Sequence, residues 1–445
     1  CPRKSAMKIF MHLLIQLRIF QNNIYMKKPF FLTAIIFLTA FTAFSQRTQL
    51  LHFYVEAGDY ERINTPVSVD IEGASKSDTL GYHLYEKVKG RMIEKHTQIE
   101  TGYIPRLWWI LDGKTNAGAK REFFLFKDVP GTTTVAITTE LTKDNIVLKK
   151  GESEILNYRK SILYPPARVD SAFKRSGFIH PMYSPSGNIL TRVSPRDHYH
   201  HFGIWNPWTK VRIGNHETDF WNLGSKQGTV QFAGINSVID GPVYGGFSVK
   251  QDHIDFRVVK SGELAINEIW DVRAWNTEPV EGVKAYLVDL TTFLSVAGNE
   301  PIVFVAYRYA GGIGFRATGE WNRNNSTVLT SEGLTRKDAD GSRARWADIN
   351  GAFEGKGNSG ITFFSHPANR DFPEPMRVWP ENQNGVGDVY FEFCPTRHND
   401  WQLDPGKLYR LKYRMLVYDG KIDKAVAERI WNDFAYPPAI TLLKK

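Results

Sequence analysis

The run Val283-Lys284-Ala285-Tyr286-Leu287-Val288-Asp289-Leu290-Thr291-Thr292-Phe293-Leu294 decides the fold, because it reads as one long strand. Strand-like stretches surround it at 228–233, 247–249, 254–259, 265–272, 302–309, 360–364, 389–393 and 409–418. Long strands in that number bury a large core as paired sheets or as a closed β-structure. The expected unit is a large antiparallel β-sandwich over residues 165–435.

Toward the N-terminus the strands are shorter. His52-Phe53-Tyr54-Val55-Glu56 is one, and Val67-Ser68-Val69-Asp70-Ile71 alternates at period two, as a half-buried strand does. Leu107-Trp108-Trp109-Ile110-Leu111, Glu122-Phe123-Phe124-Leu125-Phe126 and the segment 132–137 follow. Their spacing of roughly ten residues predicts a smaller antiparallel sandwich over 47–150. A polar run from Lys149 to Glu154 and the rigid Tyr164-Pro165-Pro166 mark the boundary. One helix is expected near the C-terminus. It starts at Asp419 or Gly420, carries Ile422, Val426 and Ile430 on one face, and stops at Pro437-Pro438. The fold class is therefore all-β: two β-sandwich domains and one C-terminal packing helix. For the larger sandwich, the supersandwich of sugar mutarotases and polysaccharide lyases is one form it could take.

The first 45 residues do not read as part of that fold. Met26-Lys27-Lys28 is a basic n-region, residues 29–44 are almost wholly apolar, and Ala43-Phe44-Ser45 supplies a small-residue cleavage site before Gln46. That order is a secretory signal peptide over 26–45. The alternative, a lone membrane anchor, wants a run of roughly 18 or more apolar residues. Residues 1–25 read as an upstream or over-extended segment. Secretion into a Gram-negative periplasm, with no stable membrane insertion after cleavage, is the expected location.

Cutting after Ser45 changes the charge. The full chain has 56 Lys and Arg against 47 Asp and Glu, a net +9. The leader takes six basic residues and no acidic one, leaving 50 against 47, or +3. No basic cluster then points to nucleic acid. Cys1 goes too, so Cys394 remains alone, and neither a disulfide framework nor a four-cysteine zinc site can form. A 42% hydrophobic and 23% charged composition excludes a chain disordered throughout.

Candidate chemistry concentrates between His180 and Trp221. Five of the twelve histidines, His180, His198, His200, His201 and His216, fall there, with Arg192, Asp197, Trp205 and Asp219. Imidazoles serve as neutral-pH acid–base groups and as metal ligands. If 197–201 is extended, His198 and His200 share one face and Asp197 and His201 the other. His198 and His200 could then begin a divalent metal site, with His180, His216, Asp219 or His366 as third ligand. Alternatively one histidine transfers protons, Asp197 or Asp219 orients it, and Arg192 holds an anion. The plain structural reading is a loop of hydrogen-bonding histidines and prolines at a sheet edge. No cofactor is required by the sequence.

Two further groups stand out, Arg343 to Asp348 with Arg345 and Trp346, and the His366-Pro367-Ala368-Asn369 turn after an apolar strand. Turn hydrogen bonding accounts equally well for the second. Trp205, Trp208, Trp221, Trp346 and Trp379 could offer faces for sugar rings, although at least half should be core. Other motifs fail. Gly311-Gly312-Ile313-Gly314 lacks the nucleotide-binding spacing, and Asp338-Ala339-Asp340-Gly341 has Ile349 where an EF-hand needs an acid. Cys394 reads as an inert core thiol.

The run His180-Pro181-x-Tyr183-x-Pro185-x-Gly187, Thr191-Arg192, and Asp197-His198-x-His200-His201-x-Gly203-Ile204-Trp205 resembles the signature of bacterial proteins labelled "PmoA family" or "methane oxygenase PmoA". Arg345-Trp346-Ala347-Asp348 and His366-Pro367-x-Asn369 resemble its later motifs, and 57–67 resembles the N-terminal part of secreted members. Phe202 departs from the pattern, where a basic residue is common. The methane-oxygenase label implies an integral membrane subunit, which a β-patterned chain does not match. The resemblance implies instead a soluble β-sandwich group associated with sugar oxidoreductases and glycan degradation.

The expectation is a carbohydrate-active protein, an enzyme that cleaves or isomerises a glycoside or oxidised sugar. His198, His200 or His201 would act as acid or base, and Asp197 or Asp219 would orient it. Substrate would be held by His180, Arg192, Trp205, His216, Trp221, Arg345, Trp346, His366 and Asn369. The alternatives are a non-catalytic glycan-binding protein and a metal-dependent oxygenase.

Overall fold

Along Glu263–Trp275 buried side chains recur at every second residue over most of the strand. This strand pairs with Tyr244–Asp255 on one side and Ala285–Val296 on the other. The quoted run is thus a central strand, and Tyr409–Asp419 closes its far edge. The computed structural model describes residues 48–71, 81–128, 131 and 134–443. The upstream segment 1–25, the signal peptide 26–45, and Thr132 and Thr133 of the expected strand 132–137 lie outside the described residues.

Two eight-stranded antiparallel sheets dominate. The long-stranded sheet runs, in spatial order, Gly228–Ile239, Tyr244–Asp255, Glu263–Trp275, Ala285–Val296, Tyr409–Asp419, Gly357–Ser365, Trp346–Phe353 and Ser326–Thr330. The short-stranded sheet runs Met376–Val378, Tyr390–Phe393, Ile313–Arg316, Ile204–Trp205, Phe178–Met182, Ser153–Arg159, Asn145–Lys150 and Ile137–Leu141. Their inner faces share one apolar core, with Trp270, Val272, Val288, Leu290 and Phe363 from one sheet and Leu156, Ile179, Ile204, Phe315 and Phe391 from the other. Each fully buried aliphatic or aromatic side chain contributes about 1.5–3 kcal/mol, so the paired sheets dominate stability.

The smaller sandwich has five strands on three. Ala439–Leu442, Thr48–Glu56, Lys120–Asp128, Gly81–Val88 and Arg91–Lys95 form one sheet, and Arg62–Asp70, Arg106–Thr115 and Gln98–Glu100 the other. Phe53, Val69, Leu84, Trp109 and Leu125 fill the space between. Two differences from the sequence reading stand out. Ile137–Leu141 and Asn145–Lys150 join the large sheet instead of the small sandwich, because period-two alternation identifies a strand without saying which sheet it enters. The C-terminal strand Ala439–Leu442 returns to pair with Thr48–Glu56.

The helix α1 (Lys424–Ala435) packs Ala427, Ile430, Trp431 and Phe434 on the outer face of the long-stranded sheet, against Trp275, Leu287, Trp346 and Phe364. It starts later than expected. Asp419 still pairs with Ser359 as the last residue of its strand, and Gly420 turns with φ +81°. Asp423 is the cap, its carboxylate accepting from Val426 N at 2.8 Å. Among the described residues, no helix is long and apolar enough to cross a membrane.

Candidate functional site

The short-stranded sheet carries the site at one end of four adjacent strands. Register places Arg316 opposite Tyr390, and Trp379 N donates to Tyr390 O at 3.1 Å. Arg192 N donates to Arg316 O at 3.1 Å, so both arginines lie at the same end. Between Arg192 and Gly203 the chain leaves the sheet as a short loop. Val193 bridges Phe202, and Ser194 N donates to His201 O at 2.8 Å, which closes the loop at its base. Gly203 (φ +62°) follows, where a Cβ would stand 2.3 Å from Ile179 O, so only glycine lets the chain pass the neighbouring strand.

Inside the loop the backbone turns twice. His198 N donates to Pro195 O (3.0 Å) and His201 N to His198 O (3.1 Å). The segment is therefore not the extended one that would split His198 and His200 from His201. Turns bring all three imidazoles together, with one ring nitrogen from each within 4.8 Å of the others. Pro195 and local turn hydrogen bonds override the alternation that strand geometry would impose.

A polar network holds this cluster. His198 Nδ1 lies 2.8 Å from Asp197 Oδ2, and an ionised carboxylate only accepts, so Nδ1 carries a proton and donates it to Asp197. Asp197 Oδ2 also accepts from Arg316 Nη2 (2.6 Å) and Asn384 Nδ2 (2.8 Å). Asp388 repeats the pattern, accepting from Arg192 Nη2 (2.6 Å), Arg316 Nη2 (3.0 Å) and Asn384 Nδ2 (2.9 Å). Burial pushes the Asp197 carboxyl up. The His198 hydrogen bond and the Arg316 and Arg192 charges together outweigh it and hold the group well below the usual carboxylate range. Asp388 is likewise lowered: burial opposes, and Asn384 and the two arginines prevail. Both carboxylates are ionised at neutral pH.

The histidines behave oppositely. Burial takes His200 down to about 4, and the charges of His198 and Arg316 add to it. Burial and the same neighbours hold His201 well below its ordinary value. Both rings are neutral at pH 7. Beneath them, His201 packs on Trp205, Trp221, Trp379 and Tyr390 with ring centres 5.1–5.5 Å away. Trp221 Nε1 donates to His200 O at 2.9 Å. The Arg316 guanidinium lies 4.5 Å from the Trp379 ring centre. Its Nε and Nη1, like His201 Nδ1 and Trp205 Nε1, are buried without a hydrogen-bond partner among the described residues.

The structure thus brings together Arg192, Asp197, His198, His200, His201, Trp205 and Trp221. It places the other predicted residues elsewhere. His180 is bonded to Thr191 (2.8 Å) on the neighbouring segment, and burial takes it to about 4. Asp219 accepts from Trp221 N (2.8 Å), Asn222 N (2.7 Å) and Asn222 Nδ2 (2.7 Å), so it fixes the turn that carries Trp221 and orients no histidine. His216 Nε2 pairs with Asp255 at 2.6 Å. Arg345 pairs with Glu428 (2.8 Å) and lies over Trp431, and Trp346 is buried beneath the helix. His366 Nδ1 accepts from Ala368 N, and Asn369 binds Glu374 and the Lys412 backbone. These last four gather at the helix, and Glu374 and Trp379 flank opposite ends of Met376–Val378, up to about 17 Å apart along the chain.

The expectation of tryptophan faces for sugar is corrected. Trp205, Trp208, Trp221, Trp346 and Trp379 are all 3% exposed or less. Trp205, Trp221 and Trp379 pack against the imidazoles, where large rings bury much apolar area, whereas Trp208 stacks on Phe304 and Trp346 lies beneath the helix. Sequence reasoning missed Arg316, Asn384, Asp388 and Tyr390. The available signal was a charged residue ending the otherwise apolar Ile313–Arg316, since a buried guanidinium needs carboxylates near it.

Fold and site together define a β-sandwich protein with a three-imidazole centre braced by two carboxylates and two arginines. The chain belongs to DUF6807, a family of unknown function, whose model matches residues 145–432. That match gives the methane-oxygenase label no support. No curated protein matches the chain. Among solved structures, the chain is similar to the GH36 alpha-galactosidases AgaA and AgaB from Geobacillus stearothermophilus. Each is 11% identical with a TM-score of 0.27; the matches cover 66% and 65% of this chain, and 40% and 39% of theirs. An alpha-galactosidase from Lactobacillus brevis is 9% identical over 64% of this chain and 39% of its own, with a TM-score of 0.25. The chain spans about two fifths of these structures, and what those enzymes act on does not transfer to it.

Proposed function

We propose that the protein is a secreted, periplasmic carbohydrate-active enzyme whose acid–base chemistry takes place at the imidazole cluster of His198, His200 and His201. The observation that carries this reading is the oriented Asp197–His198 pair beside two desolvated, neutral imidazoles at the mouth of the loop. His198 is the proton acceptor, with the Asp197 carboxylate on its far nitrogen to stabilise the charge that forms, while His200 and His201 stay uncharged beside it. Asp197, Asn384, Asp388 and Arg192 surround the mouth with planar donors and acceptors, suited to the adjacent hydroxyls of a sugar.

The same electrostatics narrow the reaction. A two-carboxylate glycosidase keeps one carboxylic acid protonated to donate to the leaving oxygen. Asp197 and Asp388 are both lowered, so neither suits that role. Proton abstraction beside a carbonyl, as in isomerisation or elimination on an oxidised sugar, fits better. The small sandwich, built from strands within 48–128 and from Ala439–Leu442, would brace the larger one. The motif likeness to the PmoA-labelled proteins remains compatible with this reading through their sugar-related gene neighbours.

The test is a panel of glycosides and 3-keto-glycosides given to wild type, His200→Ala and Asp197→Asn. Turnover by wild type that both variants lose is expected. Equal turnover by all three would remove the cluster from the reaction. Glycan binding without turnover of any member would favour a binding protein instead.

A further inference from the structure

We propose that His198, His200 and His201 bind one divalent transition-metal ion, each through a single ring nitrogen. The proposal takes the cluster of the proposed function as its site but does not depend on sugar being the substrate.

Three observations carry it. The first is convergence. The ring centres of the three histidines are 5.3 Å (His198–His200), 4.7 Å (His198–His201) and 4.9 Å (His200–His201) apart. A ring centre sits about 1.1 Å behind its donor nitrogen, so imidazoles bound at about 2.0–2.1 Å to one four- or five-coordinate ion, at angles of roughly 90–120°, have centres roughly 4.4–5.5 Å apart. The ring planes cross at 74°, 34° and 77°, so the rings do not simply stack.

The second is the support around the cluster. His198 commits Nδ1 to Asp197, which is itself held by Arg316 and Asn384. A carboxylate on the far nitrogen of a ligating histidine fixes its tautomer and raises its basicity, and is the usual outer partner in metal sites. The third is an unmet need. His201 is 1% exposed, and its Nδ1 has no hydrogen-bond partner among the described residues. A buried polar atom left so is costly, and coordinating or hydrogen-bonding a ligand would relieve the ring.

The donor set selects the class of ion. Three imidazoles without thiolate suit zinc, cobalt, nickel, copper or iron, whereas calcium and magnesium take oxygen ligands. The half-exposed edges of His198 and His200 leave a further position open to solvent, where a water or a substrate oxygen would bind. Bound water in such sites ionises near neutral pH. With the ion bound, that water would take the proton in place of an imidazole, because coordination occupies the ring lone pair.

The experiment uses the full chain made without a polyhistidine tag. Metal content is measured by elemental analysis, the protein is stripped with chelator, and Co²⁺ is titrated while its visible d–d bands are followed. One ion per chain, with tetrahedral or five-coordinate Co²⁺ bands, is expected. His200→Ala and His198→Gln should weaken Co²⁺ binding about 100-fold or more, and Asp197→Asn about 10–100-fold, with far-ultraviolet circular dichroism unchanged. Absence of stoichiometric Co²⁺ binding, or binding unaltered in the folded variants, overturns the proposal. Metal bound without turnover of any sugar removes the carbohydrate reading and leaves the site standing. Sugar turnover that persists in stripped protein removes the metal and leaves the carbohydrate reading.

Discussion

At one end of the strand Met376–Val378 the chain gathers His198, His200, His201, Asp197 and Arg316; at the other it gathers Ser365, His366, Asn369, Glu374 and Tyr413. The two groups use the same vocabulary of His, Asn and carboxylate beside aromatic rings. Around Glu374 the polar atoms satisfy one another. Ser365 and Asn369 donate to one carboxylate oxygen and Tyr413 to the other, and Asn369 also clamps both backbone groups of Lys412. Around His201 they do not: among the described residues, imidazole, indole and guanidinium nitrogens stay unpaired, and two imidazoles are partly exposed. Residue type alone therefore does not mark a reactive site. Unmet hydrogen-bonding capacity at an accessible edge is what singles out the histidine cluster as the candidate, because such capacity is costly unless something binds there.

The contrast can be broken most decisively at His200. His200→Ala should cut turnover of a responding sugar by about 100-fold or more. The melting temperature of this variant should change little, since the ring is only partly buried and makes no side-chain hydrogen bond among the described residues. A comparable loss of turnover per folded molecule in Asn369→Ala would erase the distinction between the two ends.

Asn369→Ala is expected to act on stability instead. It removes the side-chain partner of both Lys412 backbone groups and one donor to Glu374, at a cost of about 2–4 kcal/mol. Denaturant unfolding with turnover normalised to folded protein separates the two effects.

The acid group offers a third way to sharpen the comparison. Burial raises Glu374 to about 7 from an ordinary 4.5. The folded state then holds its proton more tightly than the unfolded chain does. The resulting stabilisation is complete below about pH 4.5, declines as pH rises, and is gone above about 7. Glu374→Gln should flatten the fall in melting temperature between pH 5 and pH 8, by an amount corresponding to about 1–3 kcal/mol. An unchanged slope would show that Glu374 is ionised in the folded protein.

The smallest effect is expected at His216. Its partner is Asp255 and it belongs to neither group, so His216→Ala should leave turnover within about two-fold of wild type. A large loss, measured by initial rates on the same substrate, would extend the site beyond the loop.

Much of this protein was legible in its residues. Long apolar runs with β-branched and aromatic side chains announced the sandwich, and the helix face of Val426 and Ile430 packs as its spacing implied. The histidine run was visible because five imidazoles in so short a window are uncommon. Its geometry was not, since a loop with Pro195 can turn or extend, and only the Ser194–His201 closure settles which. Arg316 and Asp388 were invisible for a different reason. They stand 119 and 191 residues from Asp197 in the sequence, and only sheet register and a crossing loop set them beside it.

Taken by itself, the sequence determined the all-β class, the packing helix and the segment in which the histidines are concentrated, because periodicity and composition are local properties of the chain. The tertiary structure decided which histidines meet, which carboxylate orients one of them, and which tryptophans are closed off from solvent. Those depend on strand order and loop closure, which bring together residues that no local pattern connects.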